Sequence, residues 1–293
     1  MKIICEVNSL ALTKKILKHS NISMIVLNLD FLSLDTTNMV KDKEAIKIIK
    51  YAKSKDIKVA INIDRLFHQN DLTFVKSLLE TCPSDYIIYS DLGVYQFLTE
   101  LGLSDMAIYR APTYLTNYND IQIYQKMNSY VVASNQITTS ELYEIVKNAS
   151  SNLIVDALGM ACCFYSKRPL VTNYLKFKNI KLKKYRGIVA TLNEETRTNN
   201  YHLVEDVNGT RVYEEAHYAL TKELDNLKCD YILINEFNLD DKTYYNIISL
   251  YDEYLNGIIS STILDERIKQ LKVPFYKGAY DKKTVLLKED AND

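Results

Sequence analysis

The sequence predicts an α/β fold: a TIM-type (β/α)8 barrel with an insertion of about seventy residues between its seventh and eighth strands. Three observations carry this. Eight short apolar runs are each followed by a helix-periodic segment or by a connection long enough to hold one. A run such as Met24–Leu29 is continuously apolar, as expected of a strand buried on both faces of a parallel sheet. No GxGxxG follows the first strand, which makes a doubly wound open sheet with a dinucleotide site the second choice.

The elements follow in order. Lys2–Val7 is β-rich, and Ser9–His19 carries a helical stripe of Leu10, Leu12, Ile16 and Leu17. Met24–Leu29 is the second strand. Lys43–Lys55 is a helix with Ala45, Ile46, Ile49 and Ala52 on one face, and Lys58–Ile63 is the third strand. Asp71 is placed as the cap of a helix running to Leu79. Asp85–Tyr89 is the fourth strand, and the helix Leu92–Leu101 after it ends at Gly102. Met106–Tyr109, the helix Ile121–Met127, the strand Tyr130–Ala133 and a helix opened by Thr139 continue the alternation. Leu153–Val155 is the seventh strand. The eighth, Tyr231–Ile234, comes much later and precedes the helix Lys242–Leu255.

The gap between the last two strands holds β-rich segments, Gly187–Leu192 and Tyr201–Val207, and an Asn208-Gly209 turn. Residues 1–273 are therefore expected to form a barrel that includes the insertion 159–228, with 274–293 a short hairpin and charged tail.

Composition narrows the function classes. With 47% hydrophobic and 25% charged residues the chain reads as a soluble globular protein. A formal net charge of −1 gives no global basic field to announce nucleic acid. No apolar run approaches membrane-spanning length, and the N-terminus lacks a signal-peptide core, so a cytoplasmic location and no membrane partner are expected. The five cysteines are odd in number and scattered, which argues against a disulfide framework and for a reducing compartment. Neither a CxxC pair nor an HExxH is present, so no zinc site is expected.

In a barrel, chemistry sits at the C-terminal strand ends. Those positions are Glu6 and Asn8, Asn28 and Asp30, Asn62 and Asp64, Ser90 and Asp91, Arg110, Ser134 and Asn135, Asp156, and Asn235 and Glu236. Glu6, Arg110 and Glu236 are taken as pocket residues, while Asp91 and Ser134 equally suit helix caps. The stretch Asn152–Leu175 is the densest in reactive side chains. It leaves the seventh strand for a loop with Gly159, Cys162, Cys163, Tyr165, Ser166, Lys167 and Arg168. The bland alternative is that its cysteines are small buried hydrophobes. Lys176–Arg186, with Phe177 and Tyr185 among its lysines, has the composition for RNA backbone contact with base stacking, or for a solvated charged face.

Together these pieces resemble the peptidase U32 family of collagenase-like proteins. Asp91-Leu92-Gly93 resembles the family's fourth-strand motif, and Thr116-Asn117 its fifth-strand turn. Ala133–Ile145 resembles its sixth-strand segment, and Gly159, Cys162, Tyr165, Ser166 and Arg168 match its central signature. Glu205–Thr210 resembles its Asn-Gly-Thr turn, Ile232–Glu236 its Lys-Ile-Glu strand, and Lys277–Lys288 the tail of its short members. The resemblance implies a barrel and one of two activities: proteolysis, or oxygen-independent hydroxylation of tRNA wobble uridine, ribosomal RNA cytidine or a quinone precursor. It also implies a 4Fe-4S cluster on four cysteines in several members, prephenate as oxygen donor for the RNA branch, and a longer U32 paralogue beside the short members.

The chain departs from that pattern at the cluster. Pro169 stands where the signature has its second cysteine, Leu158 where a histidine often precedes the glycine, and Ala219 near a later ligand. No cysteine lies between Cys163 and Cys229, so four thiolates are lacking and no cluster or other metal is expected. The expected catalytic residues are Cys162, Tyr165, Arg168 and Glu236. The expected substrate-binding residues are Glu6, Arg110, Asn117, Gly159, Ser166 and Asn208. The resulting expectation is a U32-like protein of tRNA hydroxylation, as catalytic or partner subunit, with prephenate as co-substrate and tRNA and a longer paralogue as partners. A peptidase and a non-catalytic partner of the paralogue are the alternatives. For a cysteine peptidase, His202 and His217 lie within the insertion that holds Cys162.

Overall fold

A computed structural model describes residues 1–34, 38–111, 114–180, 187–193, 195 and 200–281. The chain alternates as β1 (Lys2–Glu6), α1 (Leu10–Ile16), β2 (Ile22–Asn28), α2 (Asp42–Lys53), β3 (Lys58–Ile63) and α3 (Gln69–Thr81). Next come β4 (Tyr86–Tyr89), α4 (Leu92–Glu100), β5 (Ala107–Arg110), α5 (Tyr118–Met127), β6 (Tyr130–Val132), α6 (Thr139–Asn148) and β7 (Leu153–Gly159). The insertion adds β8 (Cys162–Ser166), α7 (Leu170–Phe177), β9 (Ile188–Asn193), β10 (Asn200–Asp206), β11 (Gly209–Tyr213) and β12 (His217–Ala219). The chain returns through β13 (Tyr231–Ile234), α8 (Asp241–Leu255), α9 (Ser261–Lys269) and β14 (Phe275–Tyr276).

Strands β1 to β7 and β13 pair in parallel, and β13 bonds both β1 and β7, which closes an eight-stranded TIM-type barrel. Closure leaves no open strand edge in that ring. Because side chains alternate along a strand, every second residue points into the barrel. Ile4, Met24, Val26, Ala60, Ile88, Ile108, Val132, Ile154 and Leu233 fill its interior as one apolar cluster. Burying each aliphatic chain of this kind contributes about 1.5–3 kcal/mol. Tyr86, Tyr130 and Tyr231 pack under that layer edge to face, with ring centroids 5.5 and 5.2 Å apart. The opposite, C-terminal mouth is where the polar residues gather.

Helices cover the outside with the faces their periodicity gives, with two corrections. In α2 the buried residues are Ala45, Ile48, Ile49 and Ala52, while Ile46 is half exposed. Asp71 lies one turn inside α3, where its carboxylate accepts the His68 N–H, so the helix begins before it. Asn117 caps α5, accepting from the Asp120 N–H at 3.0 Å.

The insertion is itself a small antiparallel sheet, ordered β8-β11-β10-β9, with α7 packed on it. Its β10–β11 turn is held by Gly209, whose φ is +110° and where an added Cβ would lie 2.1 Å from the Ser166 carbonyl. Strand β12 lies outside this sheet and pairs antiparallel with the extended end of β7. Phe275–Tyr276 pairs in parallel with β12. Residues 282–293 of the expected 274–293 hairpin and tail, and most of the basic run after Ile180, lie outside the described residues.

Candidate functional site at the barrel mouth

Two residues beyond each inward aliphatic sits a polar side chain on the same face. Ile4, Val26, Ala60 and Ile88 are followed at that spacing by Glu6, Asn28, Asn62 and Ser90. Ile108, Val132, Ile154 and Leu233 are followed by Arg110, Ser134, Asp156 and Asn235. At the end of β6 it is the next residue, Asn135, that lines the mouth, while Ser134 Oγ accepts the Gln136 N–H at 3.0 Å.

Arg110 and Asp156 form the centre of this layer. The guanidinium donates to Asp156 Oδ2 at 3.0 Å and to Asn235 Oδ1 at 3.2 Å, and Glu6 Oε1 stands 4.0 Å from it. Asn235 Nδ2 donates back to Asp156 Oδ1 at 2.7 Å, which fixes the amide. Burial works against the Arg110 charge, but Asp156 and Glu6 outweigh it and hold the group protonated. Asn135 donates to the Tyr218 hydroxyl at 3.1 Å, and Tyr280 donates to the Asp156 backbone carbonyl at 2.8 Å. Burial, with Asp156 nearby, raises the Tyr218 hydroxyl far above the ordinary tyrosine value, so it stays neutral. Gly159 lets this network close: a Cβ there would come within 2.9 Å of both Asn235 Nδ2 and the Tyr218 hydroxyl.

Above the layer is a cavity of about 100 Å³, walled by Glu6, Asn62, Asp64, Ser90, Arg110, Asn135 and Asn235. Its roof is Met160, Cys162, Tyr213 and Phe237, with the last two rings stacked 4.1 Å apart. The insertion therefore acts as a cover that shares its apolar underside with the barrel.

The expected site residues distribute unevenly. Glu6, Arg110 and Cys162 line the cavity, and Gly159 borders it. Glu236 is buried beside it, accepts from Asn38 through its carbonyl and donates its N–H to Glu6 Oε2, and burial followed by the Glu236 charge raises the thiol of Cys5. Tyr165 donates to the Asn208 carbonyl at 3.2 Å. Ser166 receives the Arg168 N–H, and Arg168 itself is exposed. Asn117 serves as the α5 cap on the surface. Asn208 accepts from Arg65 at 2.7 Å, and Arg65 also binds the Phe31 carbonyl and Asp71. Arg65 lies over the Phe31 and Phe67 rings at 4.3 and 4.8 Å, a latch between barrel and insertion that the strand-end rule did not reach. Tyr218, Tyr280, Met160, Tyr213 and Phe237 were also missed, because they come from the insertion, the tail and a loop rather than from strand ends.

The cysteine chemistry has a plain geometry. Burial, then the neighbouring Cys163, pushes the Cys162 thiol up to about 12, and it donates to the Phe164 carbonyl. His217 meets the Phe237 carbonyl at 2.8 Å and burial lowers its pKa, while His202 sits on β10 opposite Tyr213. A 4Fe-4S cluster does not fit these thiols. Adjacent residues on a strand face opposite ways, so Cys162 lines the mouth cavity and Cys163 the groove on the far face of its sheet. Cys5 is in the barrel shell, Cys82 ends α3 and Cys229 precedes β13, so four thiols do not converge. Among the described residues no three His, Cys, Asp or Glu side chains group to hold a metal ion.

The chain belongs to peptidase family U32, whose family model matches residues 25–277. It is 24% identical over 193 residues to "tRNA hydroxylation protein P2" of Bacillus subtilis, covering 63% of this chain and 62% of that protein. It is 30% identical over 141 residues to an uncharacterized protease of Methanocaldococcus jannaschii, covering 45% and 34%. Each match spans less than two thirds of the relative's own length. The solved U32 peptidase Mk0906 has the same fold, with a TM-score of 0.50 at 13% identity, covering 80% of this chain and 92% of that one. No helix among the described residues is long and apolar enough to cross a membrane.

Proposed function

We propose that this chain works in oxygen-independent hydroxylation of tRNA, at the wobble uridine, as the subunit that presents the RNA. The similarity to a tRNA hydroxylation protein carries the reading. A feature of the insertion supports it. Tyr174 and Phe177 on α7 are 57% and 78% exposed, with the Lys178 ammonium 5.8 and 5.9 Å from their ring centres. Exposed rings beside a cation suit base stacking with phosphate contact. Lys167 and Lys176 line an adjoining groove of about 900 Å³.

Prephenate belongs to this reading as oxygen donor. The mouth cavity, at about 100 Å³ with Glu6 and Asp64 in its wall, is a poor seat for a bulky dicarboxylate. The proposal therefore assigns prephenate to a longer U32 paralogue acting as partner. A cysteine peptidase would need a thiolate beside a base, and Cys162, protonated and bonded to a carbonyl, offers neither.

The test is tRNA binding by the purified chain. The reading expects affinity that weakens as salt rises. It also expects a loss of about 10- to 100-fold on Tyr174→Ala with Phe177→Ala, since a stacked base contributes about 1–3 kcal/mol. Binding that ignores both rings would contradict it.

A further inference from the structure

We infer that the mouth cavity is a binding site for a small organic cation, a protonated primary amine that is either free or the end of a longer chain. This is independent of the tRNA reading.

Charge is the first observation. Glu6 and Asp64 stand in the wall and Asp156 directly behind it, and Arg110 is the cation among the lining residues. Arg110 is already committed to Asp156 and Asn235, with Glu6 at 4.0 Å. Among the described lining residues acids outnumber cations in a covered space, where unbalanced charge is costly. Asp64 spends Oδ1 on the Leu34 N–H at 2.8 Å.

Hydrogen bonding is the second, independent observation. Asn62 lines the cavity, is 1% exposed, and its Oδ1 has no hydrogen-bond partner, although its Nδ2 is satisfied by Asn28 at 2.9 Å. A buried carbonyl oxygen left without a donor is rare in folded proteins. An ammonium supplies that donor and sets a positive charge beside Asp64 at once. The roof adds the third element, because the stacked Tyr213 and Phe237 rings present the kind of surface over which cations are stabilised. About 100 Å³ is room for a few waters at ~30 Å³ each, hence for a short amine or an amine terminus.

The test uses the full chain at fixed ionic strength, with ethylammonium chloride as the free amine and N-acetyl-lysine amide as the chain-borne one. Sodium acetate is the anionic control. Either amine should raise the melting temperature by about 2–4 °C at tenfold excess over its Kd, and acetate should not. Tighter binding of N-acetyl-lysine amide would identify a side chain as the source, and tighter ethylammonium a free metabolite; either supports the site. Asp64→Asn should weaken amine binding at least tenfold, and Asn62→Leu should do so separately. If either variant misfolds, a calorimetric titration of the unaltered chain still decides. Equal or better binding of acetate, amine binding that survives both substitutions, or no amine binding would overturn the inference.

Discussion

Arg110 at the end of β5 and Asp156 in β7 meet across β6 at 3.0 Å, and that contact ties the barrel's polar mouth together. Both are held by neighbours, Arg110 by Asn235 and Asp156 by Asn235 and Asn135. Arg110→Leu leaves a buried carboxylate without its cation and should cost about 3–5 kcal/mol. Arg110→Leu with Asp156→Leu should recover only part of that loss, because it removes the Asp156 charge but takes the guanidinium away from Glu6, 4.0 Å from it. Urea unfolding of both variants checks this, and a single variant costing under about 1 kcal/mol would contradict the contact.

Gly209 should tolerate no side chain. Gly209→Ala adds a Cβ to a residue at φ +110°, against the backbone of Ser166 and Lys167. The expected loss is at least ~2 kcal/mol, concentrated in the insertion. Hydrogen exchange should quicken in β8 and β11 and stay slow in β1 to β4.

Glu205 predicts an acid sensitivity confined to α7. Burial opposes its charge, but hydrogen bonds from Thr172 and Thr210 and from the Val171 and Thr172 N–H groups prevail and hold its pKa below the ordinary value. A depressed folded pKa means the stabilisation is complete above the unfolded value near ~4.3 and lost as pH falls through the folded one. Exchange of the α7 amides measured from pH 6 to pH 3 should accelerate only below about pH 4.3, with the barrel strands unaffected over the same step.

Cys162 should be a slow nucleophile. With its thiol pushed up to about 12, the thiolate fraction at pH 8 is on the order of 10⁻⁴. Alkylation mapped by mass spectrometry should label the exposed Cys163 well before Cys162. Rapid labelling of Cys162 would revive the peptidase reading.

Much of the barrel could be read from residues alone, because each strand is buried on both faces and each helix shows one apolar stripe. Ile46 misled because it adjoins Ala45 and stands only two positions from Ile48, and a short stripe fits either. All eight polar mouth residues stood at strand ends and were reachable by that rule. Glu236 was preferred over Asn235, though alternation after Leu233 turns Asn235 inward. The roof was not legible, since Met160, Tyr213 and Phe237 meet only through the folding of the insertion over the barrel. Arg168, Ser166 and Asn208 matched a family pattern, yet in space they bond to Arg65, Thr210 and backbone and build the insertion instead of the cavity.

Nucleoside mass spectrometry of tRNA from cells lacking this chain tests the proposed role most directly. Loss of hydroxylated wobble uridine is expected, restored by the intact chain and not by the Tyr174→Ala, Phe177→Ala variant. An unchanged hydroxylation profile in the deletion strain would contradict it.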